Sequence, residues 1–253
     1  MCALTDLSIA AKNCVMRFTW NVTNQSLACL VLSLSAFGEA VPDEPIPVNR
    51  EAGEFTIVLL PDTQRYTWMN PGTFYAQTDW IVRDRERLNI RFVIHLGDIV
   101  DDYTDAEWEV ADRAMGMLDG VVPYSVVPGN HDLGREEGDV LVRNSSKYNA
   151  VFPPRRYRDR PWYGGHMGVS NENNYCLFEA GGEEYLVLSL EFGPPDATLD
   201  WANELLPRFR DRRVIVATHS YMYHDDTRLG EGDDYSPHKK HASWNDGDEM
   251  EWR

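Results

Sequence analysis

Four apolar runs, each followed at once by polar residues, constrain the fold of this chain most strongly. The runs cover residues 55–60, 91–96, 123–127 and 214–217 and are rich in β-branched and aromatic side chains. Unbroken apolar runs of this length are typical of strands covered on both faces. Amphipathic segments predict helices at 74–88, 104–118 and 199–209. Gly181-Gly182 predicts a hairpin between strands at 175–178 and 185–190. The alternation of strands and helices predicts an α/β layered domain.

Each of the four runs ends in residues that can bind a cation. The polar segments are Pro61-Asp62-Thr63-Gln64, Gly97-Asp98-Ile99-Val100-Asp101, Gly129-Asn130-His131-Asp132 and Thr218-His219-Ser220. Ligands of α/β sheets bind beyond the carboxyl ends of the strands. One aspartate at such a point is usually a turn former or a helix cap. Four polar strand ends in one chain favour a metal site instead, because they offer hard oxygen and imidazole ligands together.

The order Asp-x-Gln, Gly-Asp-x-x-Asp, Gly-Asn-His-Asp and His resembles that of the calcineurin-like metallophosphoesterase superfamily, over about residues 54–219. The resemblance implies a four-layer α/β/β/α sandwich that holds two divalent metal ions (Mn, Fe or Zn) and hydrolyses phosphoesters. It assigns Asp62 to the first metal and Asp98 to a bridge between both. It assigns Asn130 and His219 to the second metal. It also implies that His131 is the catalytic acid that meets the leaving oxygen.

The residue types suit that chemistry. One carboxylate can hold two cations close enough to contact one phosphoryl group, and such a pair activates water for an in-line displacement. We expect Asp101 and Asp132, which lie in the same motifs, to orient His131 or a water molecule. Plain loop capping is the alternative for both. The expected substrate is a small phosphoester, of which the sequence leaves the identity open.

Two features depart from the family pattern. The first motif of the family usually has a histidine where this chain has Gln64, whose amide oxygen is a neutral and weaker ligand. The family's closing Gly-His-x-His element does not occur after His219. We therefore expect the domain to be incomplete at its C-terminus and this chain to bind at most one metal with useful affinity. His224, His238 and His241 are candidate replacements, and a surface position is the alternative for each.

The stretch 134–170 is polar and rich in Arg, Asn, Gly and Pro, which predicts a long functional or mobile loop. Within it, Trp162 and Tyr163 are candidates for a substrate wall, with simple surface exposure as the alternative. His166 is expected to be a loop residue. His95 lies inside the second apolar run and is expected to be a buried structural residue.

The first forty residues have the layout of a secretory signal peptide. An apolar run at 26–37 is too short to span a bilayer and is followed by Gly38-Glu39-Ala40. The alternative is a buried helix at the start of the fold. We expect residues 1–40 to be an extension with a signal peptide, 41–53 to be a linker and 54–253 to be the phosphoesterase domain. The protein would then be secreted or periplasmic, without a stable membrane span.

The charge balance excludes one class of function. The chain has 24 Lys and Arg against 41 Asp and Glu, a net charge of −17. A non-specific nucleic-acid binder needs a basic face, so no nucleic-acid binding is expected. Two alternatives to an enzyme of this family stay open. One is a degenerate relative that binds metal or phosphate without catalysis. The other is a nucleotide-binding redox domain, which is disfavoured because no glycine-rich loop follows the first strand.

Overall fold

The computed structural model describes residues 48–136, 140–229, 233–234 and 236. The predicted signal segment at 1–40 lies outside the described residues, as do His238 and His241. Residues 49–54, at the end of the predicted linker, form a compact turn in which Glu54 N–H donates to the carbonyl of Asn49 over 3.1 Å.

The described residues form strands, helices and one 3-10 turn. The strands are β1 (Thr56–Leu60), β2 (Ile90–His95), β3 (Tyr124–Val126), β4 (Arg135–Glu136), β5 (Val140–Leu141), β6 (Tyr163–His166), β7 (Asn174–Ala180), β8 (Glu183–Ser189) and β9 (Arg213–Ala217). The helices are α1 (Gln64–Met69), α2 (Pro71–Asp84), α3 (Asp105–Gly116), α4 (Ser146–Val151), α5 (Pro154–Tyr157) and α6 (Asp196–Leu205), and the 3-10 turn is Leu206–Phe209. Within the described ranges, each helix is too short or too polar to cross a membrane.

Two sheets pack face to face. The first has the order β1-β2-β3, with both pairs parallel. The second has the order β6-β7-β8-β9, in which the β8–β9 pair is parallel and the other two pairs are antiparallel. The core between the sheets includes Ile57, Phe92 and Ile94 from the first sheet and Cys176, Phe178 and Val187 from the second. The strands β4 and β5 form a separate antiparallel pair.

Helices cover the outer faces of both sheets. Successive strand residues point to opposite faces, so Val58 and Val93 pack among the residues of α2 and α3, such as Phe74 and Trp108. On the second sheet, side chains of β8 pack against those of α6 in the same way. The layer order is therefore α/β/β/α, as predicted. Burial on both faces explains why these strands appear in the sequence as unbroken apolar runs.

The predicted helices exist, but their ends differ from the prediction. The helix predicted at 74–88 begins at Pro71, and a separate short helix, α1, precedes it. Proline favours a first helical position because its nitrogen has no hydrogen to donate. The helix predicted at 104–118 is α3, whose start carries a capping box between Thr104 and Glu107. The helix predicted at 199–209 ends at Leu205, because Pro207 cannot continue its hydrogen-bond ladder.

The prediction of a long loop at 134–170 is wrong. Its described residues contain the strands β4, β5 and β6 and the helices α4 and α5. Aromatic side chains cause the difference, because Tyr148, Phe152 and Tyr157 are buried in the core beside α3. The polar composition hides this pattern, since the buried rings are widely spaced among charged residues.

Trp162 and Tyr163 are half-buried and pack against the same core. The ring centroid of Trp162 lies 5.9 Å from that of Tyr124 and 6.4 Å from that of Phe92. Tyr163 stacks on Tyr157 at 5.4 Å. Their role as a substrate wall stays a prediction. His166 lies in β6 rather than in a loop.

The core between the sheets provides a direct test of this architecture. Phe92 is fully buried and stacks on Phe178 with ring centroids 5.0 Å apart. We expect Phe92→Ala to lower the free energy of unfolding by about 3–5 kcal/mol, because the change leaves a cavity between the sheets. Urea denaturation measures the effect. Val169→Ala, at an exposed position, is the control and should change stability by less than about 0.5 kcal/mol. Equal effects of the two changes would contradict the packing described here.

Candidate metal centre

Three side chains converge at the carboxyl ends of three strands. Asp62 follows β1, Asp98 follows β2 and His219 follows β9. One potential ligand atom from each lies within 4.8 Å of the others. The two sheets contribute to this group together, because β1 and β2 belong to the first sheet and β9 to the second. The structure thus brings together three of the five residues that the sequence predicts as metal ligands.

Two glycines allow the loops to come this close. Gly97 has φ +97°, and a Cβ atom there would lie 2.7 Å from the Gly129 nitrogen and 2.8 Å from His219 Nδ1. A Cβ atom on Gly129 would clash with the backbone and the carboxylate of Asp98. Real Cβ atoms do not approach other atoms so closely, so a larger residue at either position would push the loops apart.

The backbone holds His219 in the orientation that a metal ligand needs. Its Nδ1–H donates to the carbonyl of Leu96 over 3.0 Å. That bond leaves Nε2 directed at Asp98, with 3.3 Å between Nε2 and Oδ1. Histidines that bind metals usually donate the other ring N–H to a carbonyl or carboxylate, which sets the tautomer.

The ion pair between Asp98 and His219 shifts the pKa of both groups. Burial alone would raise the pKa of Asp98, but His219 and the N–H of His131 hold it below its ordinary value. Burial alone would lower the pKa of His219, but the charge of Asp98 and its hydrogen bond raise it to about 9. The pKa of Asp62 is raised by burial and by the nearby charge of Asp98, which outweigh the attraction of His219.

His131 lies beside this group. Its backbone N–H donates to Asp98 Oδ1 over 3.0 Å, and its ring Nδ1–H donates to the carbonyl of Asp101 over 2.7 Å. The Asp101 carboxylate is 3.6 Å from the same ring nitrogen. Asp101 therefore contacts the histidine with both its carboxylate and its main-chain carbonyl, of which the carbonyl makes the shorter contact. Nε2 has no hydrogen-bond partner among the described residues, so it is available to a substrate.

The sequence did not indicate the role of Arg65. Its Nη1 lies 3.2 Å from Oδ2 of Asp101, the carboxylate next to His131. Arg65 directly follows Gln64, so its closeness to the first motif is visible in the sequence. Its pairing with a residue 36 positions later depends on how the loops fold, and no spacing rule predicts it.

Asp132 has a different role from the predicted one. It is fully buried, and its carboxylate accepts hydrogen bonds from three backbone N–H groups, those of Ile99, Val100 and Gly129, over 2.7–3.0 Å. These bonds tie the loop after β2 to the loop after β3. Asp132 thus fixes the two loops rather than orienting His131. Burial and the charge of Asp98 raise the pKa of Asp132 to about 8, against the opposing effect of these donors.

His95 is buried, as predicted, and supports the same loops. Its Nε2 lies 2.9 Å from the hydroxyl of Thr63, and its Nδ1 accepts from Gly97 N–H over 3.2 Å. Burial lowers the pKa of His95 to about 3, so the ring is neutral. A neutral ring with one donor and one acceptor matches these two contacts. The hydroxyl of Thr63 also contacts the carbonyl of Ile99, so Thr63 links His95 to the loop after β2.

The remaining predicted residues occupy less defined places. Gln64 begins α1, and its backbone N–H donates to the Asp98 carbonyl over 2.9 Å. Its side-chain Oε1 is buried and has no hydrogen-bond partner in the part of the chain that the structure describes. Asn130 is half-buried and lies between two residues, Gly129 and His131, that contact Asp98. His224 is exposed and packs beside Tyr223, away from the three converging ligands.

These residues fit a divalent cation. Two carboxylates and an imidazole with its Nε2 turned inward are the mixed oxygen and nitrogen set that Mn, Fe and Zn accept. The buried Oε1 of Gln64, which has no hydrogen-bond partner among the described residues, is a candidate for a further oxygen ligand. A buried acceptor without a partner is costly in a folded protein unless a ligand satisfies it.

The fold and the site define a calcineurin-like phosphoesterase, and the chain belongs to that family. The family model matches residues 55–248. A curated relative from Bacillus subtilis, the uncharacterized protein YvnB, is 38% identical over 170 residues, which is 66% of this chain and 13% of the relative. A second, from Arcobacter nitrofigilis, is a probable glycerophosphodiester phosphodiesterase, GpdQ. It is 24% identical over 146 residues, which is 54% of this chain and 43% of the relative. The chain thus spans less than half the length of either relative.

Two solved structures are similar in fold. One is the purple acid phosphatase PPD1 from yellow lupin (Lupinus luteus) seeds, with a TM-score of 0.44 and 16% identity, covering 65% of this chain and 30% of that chain. The other is a dimetal phosphatase from Danio rerio, with a TM-score of 0.34 and 18% identity, covering 70% of this chain and 71% of that chain.

The contacts of Asp132 predict the effect of removing one acceptor. Asp132→Asn replaces one carboxylate oxygen with an NH₂ group, which faces an N–H donor instead of accepting from it. We expect the free energy of unfolding to fall by about 1–3 kcal/mol, the usual cost of an unsatisfied buried group. Chemical denaturation followed by far-UV circular dichroism measures it. Asp102→Asn, at an exposed position two residues beyond Val100, is the matched control. Unchanged stability of the Asp132 variant would show that the three bonds do not hold the loops.

The raised pKa of His219 predicts how cation binding depends on pH. A cation that binds Nε2 must displace the proton that the imidazole holds below about pH 9. The apparent affinity for Mn²⁺ should therefore rise with pH between 6 and 8, by up to about tenfold per unit. Calorimetric titration in buffers of different ionisation enthalpy should detect the proton that is released. His219→Asn should remove this proton release. Affinity that does not change over this pH range would mean that Nε2 is not a ligand.

Proposed function

We propose that this protein hydrolyses small phosphoesters with the help of divalent cations at a two-metal site. Membership in the calcineurin-like phosphoesterase family supports the reaction class. The observation that carries the proposal for this chain is the convergence of Asp62, Asp98 and His219 within 4.8 Å, with His131 hydrogen-bonded to Asp98 beside them.

Asp98 is the residue best placed to serve both cations. Asp62 and Gln64 would complete one ligand set around it, and Asn130 and His219 would complete the other. When bound, such cations neutralise the charge of a phosphate group and make water more acidic.

His131 is proposed to donate a proton to the leaving oxygen. Its Nδ1–H is held by the carbonyl of Asp101, which leaves Nε2 to carry the transferred proton. Asp98 accepts from the backbone N–H of the same residue, which places the backbone of His131 beside the proposed cation ligands. The carbonyl of Asp101 keeps the ring in this orientation.

A phosphodiester is the first substrate to test. The relative from Arcobacter nitrofigilis carries the name of a probable glycerophosphodiester phosphodiesterase, although this chain covers less than half of it. We also propose that the protein is exported to the periplasm or the outside of the cell, which rests on the apolar segment at 26–37 and the small residues after it.

Two substitutions separate cation binding from acid catalysis. Asp98→Asn should abolish both the binding of Mn²⁺ and the hydrolysis of bis(p-nitrophenyl) phosphate, because it removes the shared carboxylate. His131→Gln should keep the metal content nearly intact and lower turnover by about 100- to 10,000-fold, the usual contribution of a positioned acid. Metal content by elemental analysis and initial rates of nitrophenol release give the two readings.

Asp102→Asn is the control, since this exposed carboxylate lies in the same loop. Loss of metal in the His131 variant would make that residue a ligand rather than an acid. Wild-type turnover in the Asp98 variant would remove Asp98 from the site. A chain that binds Mn²⁺ or Zn²⁺ but hydrolyses no phosphoester would support the alternative of a non-catalytic binding module.

A further inference from the structure

The short helix α1 presents a cation and an aromatic ring to solvent at the edge of the site. Arg65 has 63% of its side chain exposed, and Trp68 is 49% exposed. Among the described residues, Trp68 is the one aromatic member of the exposed large apolar set, which also includes Met69, Val169, Val214 and Val216. The guanidinium of Arg65 lies over the Trp68 ring, 5.3 Å from its centroid. We call this pair the α1 rim.

The opposite face of α1 is fixed to the core. Thr67 is buried, and its hydroxyl donates to the carbonyl of Gln64 over 2.8 Å and lies 3.2 Å from that of Ile99. Tyr66 packs against the core beside α2 and α3. The exposed ring therefore stands on a rigid base, which lowers the entropy cost of binding a ligand there.

A chain of contacts connects the α1 rim to His131. Trp68 contacts Arg65, Arg65 pairs with Asp101 over 3.2 Å, and the carbonyl of Asp101 holds the ring of His131. The rim thus flanks the proposed acid, on the side of its ring that carries Nδ1.

We propose that Arg65 and Trp68 bind the leaving group of the substrate, and that this group is aromatic, as an aryl or nucleoside group is. The proposal rests on the proposed function and specifies the substrate class. An indole ring stacks on flat rings without regard to their substituents. A guanidinium adds stacking and attracts the anionic phosphate in a region otherwise rich in carboxylates. Arg65 and Trp68 are specificity-determining residues and take no part in the proton transfer.

Selectivity between aromatic and non-aromatic phosphodiesters tests this role. The probes are thymidine 5′-(p-nitrophenyl phosphate) and bis(p-nitrophenyl) phosphate, which have aromatic groups, and glycerophosphoethanolamine, which has none. Trp68→Ala should lower the ratio of kcat/KM for the aromatic diesters to that for glycerophosphoethanolamine by about 5- to 100-fold, the range of one aromatic stack. The change should come mainly from KM. Trp68→Phe should restore most of the ratio.

Met69→Ala is the matched control, because Met69 is the exposed neighbour of Trp68 and carries no aromatic ring. It should leave the ratio at the wild-type value. A ratio unaffected by Trp68→Ala, or lowered equally by Met69→Ala, would overturn the proposal. Arg65→Lys tests the cation and should lower the ratio less than Trp68→Ala.

A binding measurement keeps this test independent of turnover. In a His131→Gln background loaded with Mn²⁺, calorimetry should show that Trp68→Ala weakens the binding of bis(p-nitrophenyl) phosphate by the same 5- to 100-fold. Equal binding with and without Trp68 would overturn the inference. If the wild-type chain hydrolyses none of the three diesters, the proposed function fails, and this result is distinct from hydrolysis without aromatic selectivity.

Discussion

The carboxylate of Asp132 is the interaction on which the site depends most. It is fully buried and accepts hydrogen bonds from three backbone N–H groups, two in the loop after β2 and one in the loop after β3. A buried polar group is costly unless hydrogen bonds satisfy it, so the carboxyl group and the two loops stabilise one another. Removing it would leave three buried donors unpaired. The close approach of Gly97 to Gly129 is possible because this carboxylate holds the loops together.

Main-chain carbonyls set the orientation of the two histidines of the proposed site. The carbonyl of Leu96 sets the tautomer of His219, and the carbonyl of Asp101 sets that of His131. Both carbonyls belong to the segment that leads out of β2, the central strand of the first sheet. A shift of this segment would move a cation ligand and the proposed acid at once. The site is therefore as rigid as the end of β2, which the neutral His95 fastens to Thr63.

Charge is divided unevenly around the site. Its floor holds the buried Asp98 and the exposed Asp62, whose charge His219 partly neutralises and a divalent cation can neutralise more fully. Its edge at α1 carries an exposed guanidinium and an exposed indole. An acidic chain with a net charge of −17 can still attract a phosphate where bound cations and an arginine meet. In the proposed function, this division would separate the residues that bind the phosphate from those that contact the rest of the substrate.

The sequence by itself determined the buried strands and the polar ends that follow them. Apolar β-branched runs have few alternatives to a covered strand, and Asp62, Asp98 and His219 converge because the carboxyl ends of such strands meet. Tertiary structure alone decided the remainder. The segment 134–170 folds because scattered rings such as Phe152 reach a core that no local pattern reveals. Asp132 accepts a hydrogen bond from Ile99 and holds two loops together, and Arg65 pairs with Asp101. Each of these contacts joins residues more than thirty positions apart in the sequence. Local spacing carries no information about such contacts, because they depend on the packing of the two sheets and their loops.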